Sequence, residues 1–542
     1  MDFQRNINSI DSRLIPRLLT AIILLSVLIR GFMAWILELG NDEVYYWTYA
    51  LYPDLSHFDH PPMVGFVIQA FSLNLQLDSE LFIRMGSVIL GGVNTWLIYL
   101  IGRKVKDALT GLFAAMLYNT SVYCFVIGGI FILPDTPQLF FWLISLYMLI
   151  EALPDQGISS RSRNLLFYAG VPLGLAMLSK YTSAFLWLGA GIYILFYNRK
   201  WLKTYELYVS VLLTLIIFSP VVFWNIESKF ISFTFQSERV SFFGSGLRID
   251  YFFTELFGQI LYNNPVNFVI IIIALIALWR NRVRLEKPYR RLLLSTSLPL
   301  ILLFLFFALF RRTLPHWTGP AYLSLIVLAG AYLSEKVKQK NRFRFLPVPV
   351  AVSAGVLLLA LTLGLFQIKW GVFHTSDKEN PTELGRNDVT LDMFGWEQFE
   401  YKFSQLADRD MYTMNMPADA PIIAYRWFPA AHLDYYVAYP NNINLIAIGS
   451  LEQIHKYAWI NRERPALYIG ADAYYITNSR DFRDPVPEME KYFSVIEDPE
   501  VIRIFKRRKH VENFFVYRLR DCHTLPGDVL EDFGIMMPRE GE

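Results

Sequence analysis

The chain has 542 residues, of which 54% are hydrophobic, 16% aromatic and only 18% charged. Soluble domains carry roughly a quarter of charged residues, so this deficit already suggests lipid. A net charge of +2 offers no footprint for a nucleic-acid partner, and two cysteines, Cys124 and Cys522, cannot build a disulfide framework.

The first apolar run, Leu18–Leu37, is about 20 residues long, enough to span a hydrocarbon core and longer than a signal-peptide core. It reads as a retained membrane helix. Further runs follow at Leu81–Ile101, Leu109–Ile132, Thr136–Leu153, Leu165–Ser179, Tyr181–Tyr197, Tyr205–Trp224, Tyr251–Trp279, Leu292–Phe310, His316–Leu333 and Leu346–Ile368. By length these predict a polytopic, mainly α bundle of about eleven spans, about 11–13 at the widest. The stretch 165–197 reads as one long helix or two short ones, and 251–279 is interrupted at Asn263-Asn264-Pro265.

Lysine and arginine set the sidedness. Arg5, Arg13 and Arg17 precede the first span, and basic groups follow every second span thereafter: Arg103, Lys104 and Lys106; Arg161 and Arg163; Arg199, Lys200 and Lys203; Arg280 through Arg291; and Lys336, Lys338, Lys340, Arg342 and Arg344. These loops are expected to be cytoplasmic, and the alternation favours two spans within 165–197. The loop 38–80 has no lysine or arginine but carries Glu38, Asp42, Glu43, Asp54, Asp59, Asp78 and Glu80. An odd number of spans puts everything after residue 368 outside. The tail 369–542 is soluble in composition, and its short apolar runs, Pro421–Tyr425, Ile443–Ile448, Ala466–Gly470 and Phe514–Leu519, read as buried strands. The expected division is a membrane domain over 1–368 and an extracytoplasmic α/β domain over 369–542.

The first outer loop reads Asn41-Asp42-Glu43-Val44-Tyr45-Tyr46-Trp47, then Phe58-Asp59-His60-Pro61-Pro62. Adjacent carboxylates beside a membrane are costly unless solvated or used. An acidic outer loop can simply be a solvated face. A positioned carboxylate can also take the proton of an acceptor hydroxyl as it attacks an anomeric carbon, while cations hold a leaving phosphate. His60, with Asp59, could reach a phosphate or a divalent metal. Asp135, in Leu133-Pro134-Asp135-Thr136-Pro137, suits either a helix cap or a second active-site carboxylate. Lys180, Arg239, Arg311 and Arg312 all fall on the outer side, against the positive-inside trend. Each alone could snorkel to lipid phosphates; together they suit capture of an anionic lipid headgroup.

These motifs resemble the first outer loop of the GT-C glycosyltransferases, in the bacterial branch related to protein O-mannosyltransferases and the lipid A aminoarabinose transferase. Leu178-Ser179-Lys180-Tyr181, Trp224-Asn225, Phe235-Gln236, His316-Trp317, Tyr322 and Gly395-Trp396 are similar to that branch as well. The resemblance implies a bacterial inner-membrane enzyme with a polyprenyl-phosphate sugar donor, no nucleotide sugar, and a lipid A, glycan or protein acceptor. It implies that Asp42 is the catalytic carboxylate, with Glu43 or Asp59 orienting the acceptor and Tyr45, Tyr46 and His316 nearby. His60 stands where the aminoarabinose transferase has a phosphate-binding lysine. Lys180 is then the candidate to take over that contact, and Arg239 is the best match for the phosphate-binding arginine. No cofactor is required by this reading. The rival class is a lipid or solute transporter, which would show repeated halves; no such repeat is found. A third is a scaffold whose outer domain binds envelope components.

Overall fold

The computed structural model describes residues 4–5, 14–240, 246–340, 343–344, 346–373 and 380–536. Of the basic residues that set sidedness, Arg13 and Arg342 lie outside these. Among the described residues, five helices are long and apolar enough to cross a membrane: Leu14–Ile36, Met85–Val105, Tyr205–Glu227, Lys287–Phe307 and Val348–Trp370. A sixth candidate is the bent pair Ile249–Tyr262 and Pro265–Trp279. The chain is a mainly helical, multi-pass membrane protein.

The remaining apolar runs also become helices, but shorter or more polar ones: Ala108–Thr120, Asp135–Ala152, Ser160–Met177, Ala184–Tyr197 and Gly319–Lys340. Position explains their composition. Gly319–Lys340 is buried along most of its length, and a helix sheathed by protein tolerates polar residues that a lipid-facing one does not. The stretch 165–197 resolves into two helices joined by a single turn, Tyr181–Ser183. The run Leu109–Ile132 is not one helix; it stops at Thr120 and is followed by a π-turn at Tyr123–Ile127. Close packing needs small residues: a Cβ on Gly102 would lie 2.7 Å from the Cα of Gly111 on the adjacent helix.

The break at Asn263-Asn264-Pro265 bends the helix pair by 97°. Proline disfavours helical backbone in the residue before it, and Asn264 adopts a left-handed φ of 64°. Its side-chain amide donates to the carbonyls of Thr120 and Ser353, each at 2.9 Å. Neighbouring helices thereby supply the partners that an interrupted helix needs at membrane depth.

The acidic outer loop folds into the helices Asn41–Leu51 and Met63–Phe71. Beyond Trp370 the chain builds a six-stranded mixed sheet. Ile422–Tyr425 lies between Leu445–Ile448 and Ala473–Asn478, parallel to both, and Ala473–Asn478 pairs antiparallel with the long strand Lys509–Cys522. Phe493–Ile496 and Glu500–Lys506 also pair with that long strand. Three of the expected strands are present. Ala466–Gly470 is not one: Tyr468 and Ile469 are exposed and Gly470 turns at a φ of 85°, and the third strand begins at Ala473. Helix Trp396–Tyr412 covers the sheet, stacking Phe399 on Phe514 at 4.0 Å.

Residues Glu38 and Leu39 are among those that fasten this sheet unit to the membrane half. The Glu38 carboxylate accepts the backbone N–H groups of Gly395 and Trp396 at 3.1 and 2.8 Å. The Leu39 N–H donates to the Tyr436 hydroxyl at 2.6 Å.

Candidate active site

Helical spacing sorts the residues of Asn41–Leu51. Positions three and four apart share a face, so Asp42, Tyr45, Tyr46 and Tyr49 point one way and Glu43 and Trp47 another. Asp42, Tyr45, Tyr46, Asp59, His60, Asp135, Lys180, Arg239 and His316 converge on one cavity of about 130 Å³.

Glu43 is not among them. Its carboxylate accepts both Nε and Nη2 of buried Arg84, at 2.7 and 2.6 Å, together with the backbone N–H groups of Gly40 and Ile132 at 2.9 and 3.0 Å. Arg84 also donates to the carbonyls of Ala34, Leu37 and Glu38. The pair caps the helix and ties it to two membrane helices, leaving Glu43 nothing to offer an acceptor. The expectation that Glu43 faces the chemistry is corrected on this point.

Within the cavity, the acids differ in their freedom. One oxygen of Asp59 accepts the hydroxyls of Tyr45 and Tyr49 at 2.8 and 2.5 Å. Asp135 accepts Lys180 Nζ at 2.7 Å and the Tyr123 hydroxyl at 2.8 Å. Asp42 accepts no hydrogen bond from any described residue and is open to the cavity. Although its surface is open to the cavity, desolvation by the surrounding protein, reinforced by the charges of Asp59 and Glu43, pushes the Asp42 carboxyl up to about 6. His60 is pushed down to about 4 by burial, so it is neutral, and its Nδ1 has no partner among the described residues.

The cations split between two cavities. Arg239, in the last turn of Ile231–Val240, lies over the rings of Phe235 and Trp317 at 5.1 and 5.4 Å. Together with Leu314 and Trp317 it is shared with a larger cavity of about 660 Å³, where Arg311, Arg312 and Arg248 are found. Arg311 and Arg312 therefore flank the central cavity without lining it. Arg248 is paired with Asp250 at 2.8 Å. Among the described residues no group of three or more His, Cys, Asp or Glu side chains is placed to hold a metal ion.

Reading the sequence missed what the outer sheet unit adds. Trp427 and His455 line the same cavity. Both follow from unusual backbone: Arg426 and His455 have φ of 78° and 51°. No local motif marks either residue, because only the folded chain brings them over the first outer loop.

Residues 59–224 match the family model described as dolichyl-phosphate-mannose-protein mannosyltransferase. The lipid A galacturonosyltransferase RgtD of Rhizobium johnstonii is 24% identical over 316 residues, covering 56% of this chain. The match spans 64% of the length of that relative. The crystal structure of ArnT from Cupriavidus metallidurans in the apo state superposes with a TM-score of 0.60 at 13% identity, covering 92% of this chain and 97% of that one. The same protein bound to undecaprenyl phosphate gives 0.58 with the same coverage and identity. At that identity the likeness is one of fold.

Proposed function

We propose that the chain is a GT-C membrane glycosyltransferase of the branch similar to protein O-mannosyltransferases and ArnT, and that it moves a sugar from a polyprenyl phosphate to an acceptor of the cell envelope. Asp42 removes the acceptor proton as the hydroxyl oxygen attacks the anomeric carbon. The bond from that carbon to the phosphate oxygen breaks, and its electron pair leaves with the polyprenyl phosphate. Single displacement inverts the anomeric centre. Lys180 and Arg239 hold the phosphate, with His60 beside them, and Arg311 and Arg312 attract the headgroup through the larger cavity. Asp59 orients the acceptor through Tyr45 and Tyr49. A lipid A-like acceptor and an undecaprenyl carrier are the first choices, since those are named for the relatives.

One observation carries this reading: an unpartnered Asp42 carboxylate faces Arg239 across a cavity that continues into one lined by three further arginines. The fold supports a membrane domain over 1–368 and an outer domain over 369–542. In this reading the shorter buried helices complete about eleven spans. The chain then sits in a bacterial inner membrane with the cavity and sheet on the periplasmic side. Reporter fusions at residues 340 and 450 should read on opposite sides.

The decisive experiment incubates purified protein in lipid nanodiscs with radiolabelled undecaprenyl-phosphate sugars and lipid A. Label should pass covalently to the acceptor. A parent protein that binds the lipid and leaves it chemically unchanged would favour the transporter class.

A further inference from the structure

The order of the parallel strands in the outer sheet unit reverses at Ile422–Tyr425. From there the chain runs to Leu445–Ile448 on one side and then to Ala473–Asn478 on the other. Connections that leave the carboxyl ends of neighbouring strands in opposite directions open a crevice, and ligands of open α/β sheets bind in such crevices. Here the residues that leave Ile422–Tyr425 and Ala473–Asn478 are Arg426 and residues 479–483. The second group, with Glu383 and Arg386, lines a cavity of about 300 Å³ that shares no residue with the reaction cavity. Of its lining only Phe482 is apolar.

Four guanidinium groups gather around this crevice. Arg386, Arg480 and Arg483 line it, and Arg426 acts with them on the Asp481 carboxyl. Two of the four are already matched: Arg386 pairs with Glu383 at 3.0 Å, and Arg480 pairs through Nη1 with Asp392. Arg426 and Arg483 make no ion pair among the described residues, and each lies over the Tyr425 ring at 5.8 Å. The Arg426 Nε is buried without a hydrogen-bond partner, on backbone at a left-handed φ of 78°. Strained backbone persists where the surroundings hold it, and it gathers at ligand sites. Burial, set against these cations, raises the proton affinity of Asp481. This acid therefore repels an anion less than an ordinary carboxylate does, and in its protonated form it donates to one. The loop is anchored to the strand it leaves: the N–H groups of Asp481 and Arg483 donate to Asn478 Oδ1 at 3.0 Å and Thr477 Oγ1 at 3.1 Å.

A carboxylate occupies one guanidinium fork, whereas three forks around one volume suit the three terminal oxygens of a phosphate. We propose that Arg386, Arg480 and Arg483 form an oxyanion site in the outer sheet unit that takes a terminal phosphate group, separate from the reaction cavity. Arg483 supplies the uncommitted charge. Arg386 turns from Glu383 to the ligand, since an exposed ion pair is weak. Arg480 keeps Asp392 on one nitrogen and offers the others, and Arg426 adds its charge from behind. Its neighbour Trp427 lines the reaction cavity, so the two sites meet along the chain at one peptide bond. The inference stands independently of the transfer reaction.

The test uses the full chain in phosphatidylcholine nanodiscs, calorimetry at constant ionic strength, and three probes: inorganic phosphate, a short-chain phosphatidic acid and acetate. The chain carries Lys180→Ala and Arg239→Ala throughout, which removes the cations of the reaction cavity. Phosphate should still bind this protein, and adding Arg483→Gln or Arg386→Gln should weaken it by about tenfold, the loss of one charge-assisted contact. Thermal unfolding separates lost binding from lost fold, and Arg386 is exposed, so its replacement leaves the core intact. Phosphatidic acid that outbinds inorganic phosphate by about tenfold identifies a lipid headgroup as the source, and equal affinities identify free phosphate. No binding of either phosphate probe overturns the site. So does binding that is unchanged in both glutamine variants. Acetate that binds as tightly as phosphate overturns phosphate as the ligand.

Discussion

Two buried ion pairs stand on either side of the first outer helix, and they have different fates. Behind the helix, Arg84 and Glu43 meet at 2.6 Å and every other bond they make is to backbone. In the cavity wall, Lys180 and Asp135 meet at 2.7 Å beside open space. The first pair is saturated, so removing one partner strands the other and the carbonyls or amides it serves. In the proposed reaction the second can exchange: an arriving phosphate would offer the ammonium a new acceptor, while Tyr123 still donates to Asp135. Charge and burial are alike in the two regions. What separates structure from chemistry is whether an open site adjoins the pair.

The neighbours Asp42 and Glu43 give the largest test of that distinction. Asp42→Asn should fold normally, bind the donor like the parent, and lose about 10²–10⁴ in turnover. Turnover near normal in a folded Asp42→Asn protein would move the base to Asp59 or Asp135. On the structural side, Arg84→Ala or Glu43→Ala should destabilise the protein by about 3–5 kcal/mol, the usual result of leaving one buried charge unpaired. Thermal unfolding in detergent would show it, and a stable Glu43→Ala protein with low turnover would break the comparison.

For the exchangeable pair, Lys180→Ala should weaken polyprenyl-phosphate binding by roughly tenfold to a hundredfold, as should Arg239→Ala, each losing a charge-assisted contact. If both bind like the parent, the phosphate lies among Arg248, Arg311 and Arg312 instead. The smallest effect is on pH. A base works only when deprotonated, and the Asp42 carboxyl is held at about 6 by desolvation in the cavity beside Asp59 and Glu43. Below that value kcat/KM should fall about tenfold per pH unit, and above it level off. A rate flat from pH 5 to 8 would remove Asp42 as the titrating base.

Local chemistry was legible in the chain itself. Asp42, Tyr45 and Tyr46 lie within one helical turn or so, and Asp59-His60 follow shortly after, so a reader of the sequence can group them. The bend at Asn263-Asn264-Pro265 was legible for the same reason, because proline acts on its immediate neighbours. The fate of Glu43 was not, because its partner Arg84 lies 41 residues on and the Ile132 amide 89. Nor were Trp427 and His455: the segment carrying His455 reaches Tyr45 across 411 residues. Hydropathy overstated single helices such as Leu109–Ile132, since apolar composition marks burial and says nothing of where the backbone turns. The Ala466–Gly470 run failed as a strand on its last residue, a glycine that turns.

The clasp of Glu38 on the amides of Gly395 and Trp396 also sets an order of assembly. A helix leaves its first amides without internal partners, and here the carboxylate that receives two of them was synthesised 357 residues earlier. Contacts that distant in sequence close late, after the intervening loops have lost their freedom. The clasp can engage only once the bundle between its two ends has been threaded through the lipid. The clasp is therefore expected among the later contacts to form.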